Sequence, residues 1–241
     1  AILYRLLETA DVFVTNMRPN ALDRLNLNWE KLQAINPRLI HCLVLGFGRG
    51  GRYCERPAYD TVIQCASGVA GTFEKSGGVP RFVPLVMSDH ITGLVTAQAI
   101  GFALYRRSRT GVGESIEVPM FENMATQVMT EHLYNRTYVP APGEPEGETG
   151  DPRLVSSHYK PEKTADGYFS LSANTNAQVF PLFDAIGRPE LKNDPRFNTV
   201  AARFANTAEY FSIRSEGMKQ HSTAWWLAYC DQHDIPAAPY H

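Results

Sequence analysis

An aspartate at the start of a long helical pattern is the first residue whose type and position could allow it to take part in catalysis. Asp89 follows Ser88 directly, after an apolar run at residues 82–87 and before a helical pattern that ends at the turn of residues 110–113. A side-chain oxygen at a helix start can accept free backbone N–H groups, and the helix dipole favours negative charge there. The simplest interpretation of Asp89 is therefore an N-cap, and a carboxylate that faces a ligand is the alternative.

Small residues recur along one face of the same predicted helix. Gly93, Ala97 and Gly101 are spaced four apart, so they form a stripe that has almost no side chains. Glycine in a helix interior costs about 1 kcal/mol relative to alanine, so two glycines on one stripe need a compensating reason. The pattern indicates that another backbone or a ligand approaches this face closely.

Short apolar runs predict the sheet that positions these residues. Residues 11–15 (DVFVT) and 39–45 (LIHCLVL) are typical of buried parallel strands, and helical patterns begin at residues 21 and 28 between them. An alternating run at residues 114–118 predicts a further strand after the long helix. Strand, helix and strand at this spacing form a βαβ unit, so we expect an α/β fold with a parallel sheet.

Ligands of such sheets bind at the carboxyl ends of the strands, and two loops follow those ends here. The first loop covers residues 16–24, and the second, GFGRGGRYCERPAY, covers residues 46–59. The second loop is rich in glycine, arginine and tyrosine, but it lacks the spacing of a phosphate loop or a dinucleotide-binding turn. Taken alone, it is as consistent with a solvated surface loop as with a phosphate-binding site.

The composition argues against several function classes. The 241 residues carry a formal net charge of −2 and no basic stripe, which argues against nucleic-acid binding. No apolar run approaches the roughly 20 residues that span a bilayer, so no membrane partner is expected. Cys42, Cys54, Cys65 and Cys230 show no CxxC spacing. We expect reduced thiols in a cytoplasmic protein and no metal site.

A segment rich in proline, glycine and glutamate, residues 140–152, marks the best domain boundary. We predict a large α/β domain at residues 1–135, a linker at 136–155 and a smaller α+β domain at 156–241. In the smaller domain, strands at 158–163 and 168–172 flank Asp166 and Gly167 as a hairpin, and helices follow at 177–186, 201–205, 208–219 and 223–232. Because Ala1 already lies within a helical pattern, we expect the sequence to be the middle of a longer protein.

Five segments in a fixed order carry a family resemblance: VTNMRPNALDRLNL, LVLGFGRGGRYCERPAYD, SDHITGL, YRRSRTGVGESIEVPMFE and DGYFSLSAN. Together they closely resemble the family III CoA-transferases, the CaiB/BaiF-like group that includes formyl-CoA and carnitine-type enzymes. The resemblance covers essentially the whole chain. It implies a Rossmann-like large domain, a smaller α+β domain and an interlocked homodimer. It also implies acyl-CoA and a carboxylic acid as substrates, with no permanently bound cofactor.

By this resemblance the catalytic carboxylate is Asp89. It would attack an acyl-CoA thioester to form a mixed anhydride, and the released CoA would convert the anhydride into an aspartyl-CoA thioester. The acceptor acid would then attack that thioester, and a second exchange would release the new acyl-CoA. A carboxylate kept ionised at a helix N-terminus needs no separate base, so the residue type fits this chemistry.

The resemblance assigns the coenzyme A contacts to the two loops, as Asn16, Met17, Arg18, Arg24, Arg56, Pro57, Ala58 and Tyr59. Some relatives carry a basic residue at the position of Pro57, so one phosphate contact differs here. For Arg18 and Arg24, the residues alone favour surface salt bridges.

A related group, the α-methylacyl-CoA racemases, offers an alternative function. These enzymes abstract a proton with a His–Asp pair, and their His lies thirty positions before the Asp, in a motif that resembles RPGHD. This chain has Tyr59 at that position, in RPAYD. A tyrosine with an ordinary pKa near 10 is a poor base at neutral pH, so transfer is favoured over racemisation. A non-catalytic acyl-CoA-binding protein is a third alternative, against which the intact Asp89 argues.

Overall fold

The computed structural model describes residues 2–133, 136–137, 139, 149–151 and 153–241. In chain order, its helices and strands are α1 (Ile2–Leu7), β1 (Val12–Thr15), α2 (Pro19–Arg24), α3 (Trp29–Ile35), β2 (Ile40–Leu45), α4 (Asp60–Ala66), α5 (Val69–Lys75), α6 (Met87–Thr110), β3 (Glu114–Pro119), α7 (Met120–His132), β4 (Glu162–Lys163), β5 (Tyr168–Leu171), α8 (Asn176–Ala185), a 3₁₀ turn (Pro189–Lys192), α9 (Val200–Ala205), α10 (Thr207–Met218), α11 (Thr223–Gln232) and β6 (Ala237–Pro239).

A parallel three-stranded sheet lies at the centre of the first half of the chain, in the order β1-β2-β3. Ile40 of β2 pairs with Val12 on one side and with Glu114 on the other. Since β2 is the middle strand, almost all of its residues are buried, which explains its unbroken apolar run. The prediction of a mixed α/β fold with a parallel sheet is confirmed.

The longest helix, α6, begins earlier than the sequence predicted. It starts at Met87, and its N-cap residue, Val86, provides no capping side chain. Asp89 is therefore the third residue of the helix, and the interpretation of Asp89 as the N-cap is wrong. The other end agrees with the prediction, because α6 stops at Thr110 and Gly111 follows in the left-handed conformation with φ +75°.

The chain divides into two compact units. Unit 1 comprises the described residues of Ala1–Glu74 and Val79–Gly150, and unit 2 comprises those of Lys75–Gly78 and Asp151–His241. Most of the segment predicted as the linker, namely residues 138, 140–148 and 152, lies outside the described residues. None of the helices in the described part of the chain is long and apolar enough to cross a membrane.

Unit 2 contains the predicted hairpin. Strand β4 pairs antiparallel with β5 in the register Glu162 to Phe169, and β6 pairs with the other edge of β5. The first strand is much shorter than the predicted range of 158–163. Helices α8 to α11 cover the sheet with a core that includes the fully buried Phe169, Phe197 and Trp226.

A buried histidine lies in the central strand of unit 1. The ring of His41 stacks between Phe13 and Trp29, with ring centroids 5.6 Å and 6.2 Å away. Its Nε2 atom is buried and has no hydrogen-bond partner among the described residues. Burial, aided by the charge of Arg49, lowers the pKa of His41 from 6.5 to about 4. His41 is therefore neutral in the folded protein at pH 7.

This histidine should make the protein less stable in mild acid. Below about pH 6.5 the unfolded chain binds a proton that folded His41 binds only near pH 4, so stability falls as pH falls through this window. The loss between pH 7 and pH 5 should be about 2 kcal/mol in the free energy of unfolding. In a His41→Phe variant the ring stays stacked but binds no proton. Denaturant unfolding of the variant should therefore lack this loss of stability between pH 7 and pH 5. An equal acid sensitivity in the variant would contradict the assignment.

Candidate functional site

The Asp89 carboxylate lies on the first turn of α6 and is exposed to solvent. No described residue forms a hydrogen bond or an ion pair with this side chain, whereas the Asp89 backbone N–H points to another carboxylate, Asp60, at 3.4 Å. The first turn of a helix places the positive end of the dipole beneath an anion. The arrangement therefore leaves both carboxylate oxygens of Asp89 open to a substrate, while the backbone of Asp89 is held in place.

Asp60 supplies the cap that α6 lacks in its own sequence. This residue begins α4, is 7% exposed, and accepts the Ser88 N–H at 2.7 Å through Oδ1. The Ser88 hydroxyl also lies 3.4 Å from the Asp60 carbonyl oxygen. A capping carboxylate contributed by another helix satisfies free N–H groups at the start of α6 and ties α4 to it.

Gln64 completes the connection one turn further along α4. Its Nε2 donates to Asp60 Oδ2 at 2.6 Å and to the Leu85 carbonyl at 3.1 Å, and its Oε1 accepts the Val83 N–H at 2.8 Å. Asp60 and Gln64 thus hold both the segment that leads into α6 and the first turn that carries Asp89. We call this pair the α4 clamp.

The two predicted loops lie next to each other at the carboxyl edge of the sheet. Asn20, in the first turn of α2, donates to Glu55 Oε2 in the second loop at 2.7 Å. In the first loop, Asn16, Met17 and Arg18 are all exposed. The structure therefore brings the two sets of predicted coenzyme A contacts to one side of unit 1.

The guanidinium groups of Arg18 and Arg24 have no ion-pair or hydrogen-bond partner among the described residues, and both side chains are exposed. The alternative that these residues form surface salt bridges is therefore wrong for the described part of the chain. Two unpaired guanidinium groups near one loop edge are suited to a phosphate ligand.

In the second loop, arginines gather around one tyrosine ring. The guanidinium carbon of Arg56 lies 4.4 Å from the centre of the Tyr53 ring, and that of Arg52 lies 5.0 Å from it. Arg52 also donates to the Tyr53 hydroxyl at 2.9 Å. Neither Arg52 nor Tyr53 was among the predicted contacts, although both lie in the loop that the sequence singled out.

The end of the second loop folds back on the end of β2. A Cβ atom added to Gly46 would lie 2.4 Å from the Ala58 Cβ, so only glycine permits this approach. Pro57 is exposed next to Ala58, and Tyr59 is 81% exposed immediately before the buried Asp60. The loop that holds the predicted contacts thus runs directly into the α4 clamp and, through it, to Asp89.

The stripe of small residues on α6 faces open space within this chain. A Cβ atom at Gly93 or at Gly101 would meet no described atom within 4 Å, and Ala97 is exposed. Close approach by another part of the described chain is therefore excluded as the reason for the stripe.

Comparison with known proteins decides the family. The sequence model for CoA-transferase family III matches residues 1–241. The chain belongs to family III of the CoA-transferases. As a member of that family, it is 32% identical over 240 residues to the acetyl-CoA:oxalate CoA-transferase of Acetobacter aceti, covering 99% of this chain and 61% of the relative. It is 29% identical over 239 residues to the succinate–glutarate CoA-transferase of Agrobacterium fabrum, with 99% and 59% covered.

Solved structures agree with this family III assignment. A CaiB/BaiF family protein of Brucella suis is 32% identical and superimposes with a TM-score of 0.76, covering 100% of this chain and 62% of that one. Rv3272 of Mycobacterium tuberculosis is 26% identical, with a TM-score of 0.80 and coverage of 99% and 62%. The chain thus spans about three fifths of the length of the relatives it matches.

Proposed function

We propose that the protein moves coenzyme A from an acyl-CoA donor to a carboxylic acid acceptor, with Asp89 as the nucleophile. The observation that carries the proposal is the exposed, unpaired Asp89 carboxylate on a helix turn whose backbone is fixed by Asp60. Family membership and the CoA-transferase names of the relatives support the reaction class. Assaying the whole protein against a panel of CoA esters and free carboxylates identifies the acyl group and the acceptor acid.

In the proposed reaction, an Asp89 oxygen attacks the thioester carbonyl, the C–S bond breaks, and a mixed anhydride and CoA thiolate result. The thiolate then attacks the Asp89 carbonyl carbon, which releases the first acid and leaves an aspartyl-CoA thioester. The acceptor carboxylate attacks that thioester, which forms a second anhydride and again releases CoA thiolate. The thiolate finally attacks the acceptor's carbonyl carbon, which gives the new acyl-CoA and releases the Asp89 carboxylate. Each step exchanges one activated acyl group for another, so no oxidant, metal or net proton transfer is needed.

The chain's own groups position the nucleophile in this scheme. The positive end of the α6 dipole favours negative charge on the first turn, and the α4 clamp fixes the backbone that carries Asp89. The open face at Gly93 leaves room for the thioester to approach Asp89.

Coenzyme A is proposed to bind along the adjacent loops, through Asn16, Met17, Arg18 and Arg24 in the first, and through Arg56, Pro57, Ala58 and Tyr59 in the second. The arginines offer charge for the phosphates, and the tyrosines offer rings for the adenine. The exposed Tyr59 ring and the cluster around Tyr53 are the available aromatic surfaces in the second loop. The proposal includes no resident cofactor.

The racemase alternative is disfavoured by one observation. At the position of the racemase histidine this chain has Tyr59, whose ring is 81% exposed and is not held by a described hydrogen bond. A tyrosine without an activating partner is a weak base at neutral pH. Exchange of the α-proton in deuterated water, measured by NMR with a branched acyl-CoA, would favour the racemase.

By analogy with the family, we further propose a Rossmann-like large domain and an interlocked homodimer located in the cytoplasm. Within such an architecture, residues 1–135 would belong to the large domain, 136–155 to a crossing linker and 156–241 to the small domain. The mass of the whole protein in solution, measured by light scattering, tests the dimer.

Removing Arg56 should weaken coenzyme A binding. An Arg56→Ala variant loses one charged contact to a phosphate, and we expect about a tenfold higher dissociation constant for free CoA, measured by calorimetry on the whole protein. Arg109, an exposed arginine at the far end of α6, provides the matched control, and Arg109→Ala should leave the affinity unchanged. Equal affinities for the two variants would remove Arg56 from the site.

A further inference from the structure

Unit 2 contains a cavity of about 480 Å³ that the proposed reaction does not use. It lies between the segment at residues 153–161, the end of β5, and helices α9 and α10. A volume of this size suits a small molecule. Among its described lining residues are Arg153, Lys160, Arg203 and Arg214, and none of the described lining residues is acidic.

Arg203 is the buried cation of this cavity. Arg203 is 5% exposed, and its guanidinium donates to the carbonyl oxygens of Phe197 at 2.7 Å and Asn174 at 3.0 Å. No carboxylate in the described part of the chain pairs with it, and burial lowers its pKa from the ordinary value. A buried charge is normally balanced by an opposite charge, so this guanidinium favours an anion nearby.

Arg214 contrasts with Arg203, because its charge is already balanced. It pairs with the buried Glu162, with Nη2 and Nε lying 2.5 Å and 2.9 Å from the same Oε1 atom. Lys160, by comparison, is exposed at the cavity and has no partner among the described residues. Arg203 and Lys160 therefore give the cavity unbalanced positive charge.

Tyr210 adds an unused hydrogen-bond donor to the lining. The residue is 6% exposed, and its hydroxyl is buried without a hydrogen-bond partner among the described residues. Its ring is fixed by an edge contact with Phe183, at 6.3 Å between centroids, and by Arg214 above it at 5.6 Å. A buried hydroxyl with no partner is unfavourable, and an anionic oxygen from a ligand would satisfy it.

The rest of the lining is apolar. Val200 and Phe204, on α9, are 57% and 51% exposed, and Phe211, on α10, belongs to the same lining. Exposed apolar side chains beside unbalanced cations are complementary to a ligand that has both an anionic group and an apolar body.

We propose that this cavity binds a small organic carboxylate with an apolar body. The carboxylate is recognised by Arg203, Lys160 and the Tyr210 hydroxyl, and the apolar body contacts Val200 and Phe204. The site is formed by residues of unit 2 alone, and the proposal does not depend on the transferase mechanism.

Hexanoate is a suitable probe, because it combines one carboxylate with an apolar chain. Calorimetric or NMR titration of the whole protein should show saturable binding of hexanoate. Hexanol, which lacks the charge, and inorganic phosphate, which lacks the apolar body, should bind at least about tenfold more weakly. Absence of saturable hexanoate binding, or equally tight binding of phosphate, would overturn the proposal.

Two conservative variants locate the binding site. Tyr210→Phe and Lys160→Gln should each weaken hexanoate binding about tenfold, since each removes one donor to a charged oxygen. Tyr168→Phe and Lys163→Gln, at exposed positions outside the cavity lining, are the controls and should bind normally. Thermal unfolding checks that all variants fold. Asp89→Asn should bind hexanoate normally, and loss of binding in that variant, or normal binding in both cavity variants, would contradict a separate site.

Discussion

Replacing Asp89 by asparagine is expected to abolish CoA transfer while leaving the protein folded. The amide has the same size as the carboxylate and stays on the exposed first turn of α6, where no described side chain depends on it. It cannot form the anhydride or the thioester, so the turnover rate should fall by roughly 10³-fold or more. The measurement is acyl-CoA formation by the whole protein, followed by chromatography of the CoA esters.

The control for this variant is a second exposed aspartate on a helix. Asp231→Asn, on α11, makes the same chemical change at a residue whose side chain has no hydrogen-bond partner in the described part of the chain. It should retain normal activity, and both variants should unfold at the temperature of the unmodified protein. A folded Asp89→Asn variant with normal turnover would leave Asp89 a purely structural residue and exclude the covalent route.

Replacing Asp60 by alanine should affect both stability and the reaction. The buried carboxylate accepts N–H groups from Ser88 and Gln64. Its loss leaves the Ser88 N–H without a partner and leaves the Gln64 amide group bonded to the Leu85 carbonyl alone. We expect a loss of about 3 kcal/mol in the free energy of unfolding, measured with denaturant. In the fraction that remains folded, the start of α6 is no longer fixed, so the rate constant for transfer should fall by about a hundredfold.

Comparing the changes in kcat and KM distinguishes a loss of positioning from a general disturbance of the protein. The proposed coenzyme A contacts lie on the loops at residues 16–24 and 56–59, so the KM for the acyl-CoA should change little while kcat falls. An Asp60→Asn variant, which keeps one oxygen acceptor for Ser88, should recover part of the rate. The same substitution at Asp23, Asp23→Ala, is a suitable control, because Asp23 is an exposed carboxylate that accepts one hydrogen bond, from Asn28 at 3.0 Å. A parallel rise in KM, or no change in kcat, would contradict a positioning role for Asp60.

Local patterns were sufficient to predict much of the fold. The apolar run of β2 follows from its place in the middle of a parallel sheet, and Gly111 marks the end of α6 because it adopts a positive φ. The hairpin was also predictable, since its turn is closed by local bonds: the Gly167 N–H donates to the Thr164 hydroxyl at 2.9 Å, and that hydroxyl donates to Asp166 Oδ1 at 3.2 Å. These features depend mostly on residues close together in sequence or on a burial pattern along one element.

The start of α6 could not be predicted in the same way. Its cap is a carboxylate that stands 28 positions earlier in the chain, and no pattern around Ser88 reveals that partner. Asp60 was visible in the RPAYD segment only as the neighbour of Tyr59. The short β4 has a related cause, because its length depends on pairing with β5 and not on the local sequence at residues 158–163.

The loop contacts were partly predictable. The rule that ligands bind at the carboxyl ends of parallel strands singled out the loop that holds the arginine cluster, including Arg56. It could not show that Arg52 and Tyr53 join that cluster, or that Asn20 connects the loops through Glu55. These contacts depend on how the loops fold back, as at Gly46 and Ala58.

The most direct test of the central claim is the covalent intermediate on Asp89. The whole protein is incubated with an acyl-CoA donor and no acceptor, trapped with hydroxylamine or reduced with borohydride, digested, and examined by peptide mass spectrometry. The proposed mechanism predicts a modification on the peptide that contains Asp89, a hydroxamate or a reduced side chain, which disappears in Asp89→Asn. If acyl-CoA binds and turns over but Asp89 stays unmodified with every competent donor, the covalent mechanism is contradicted.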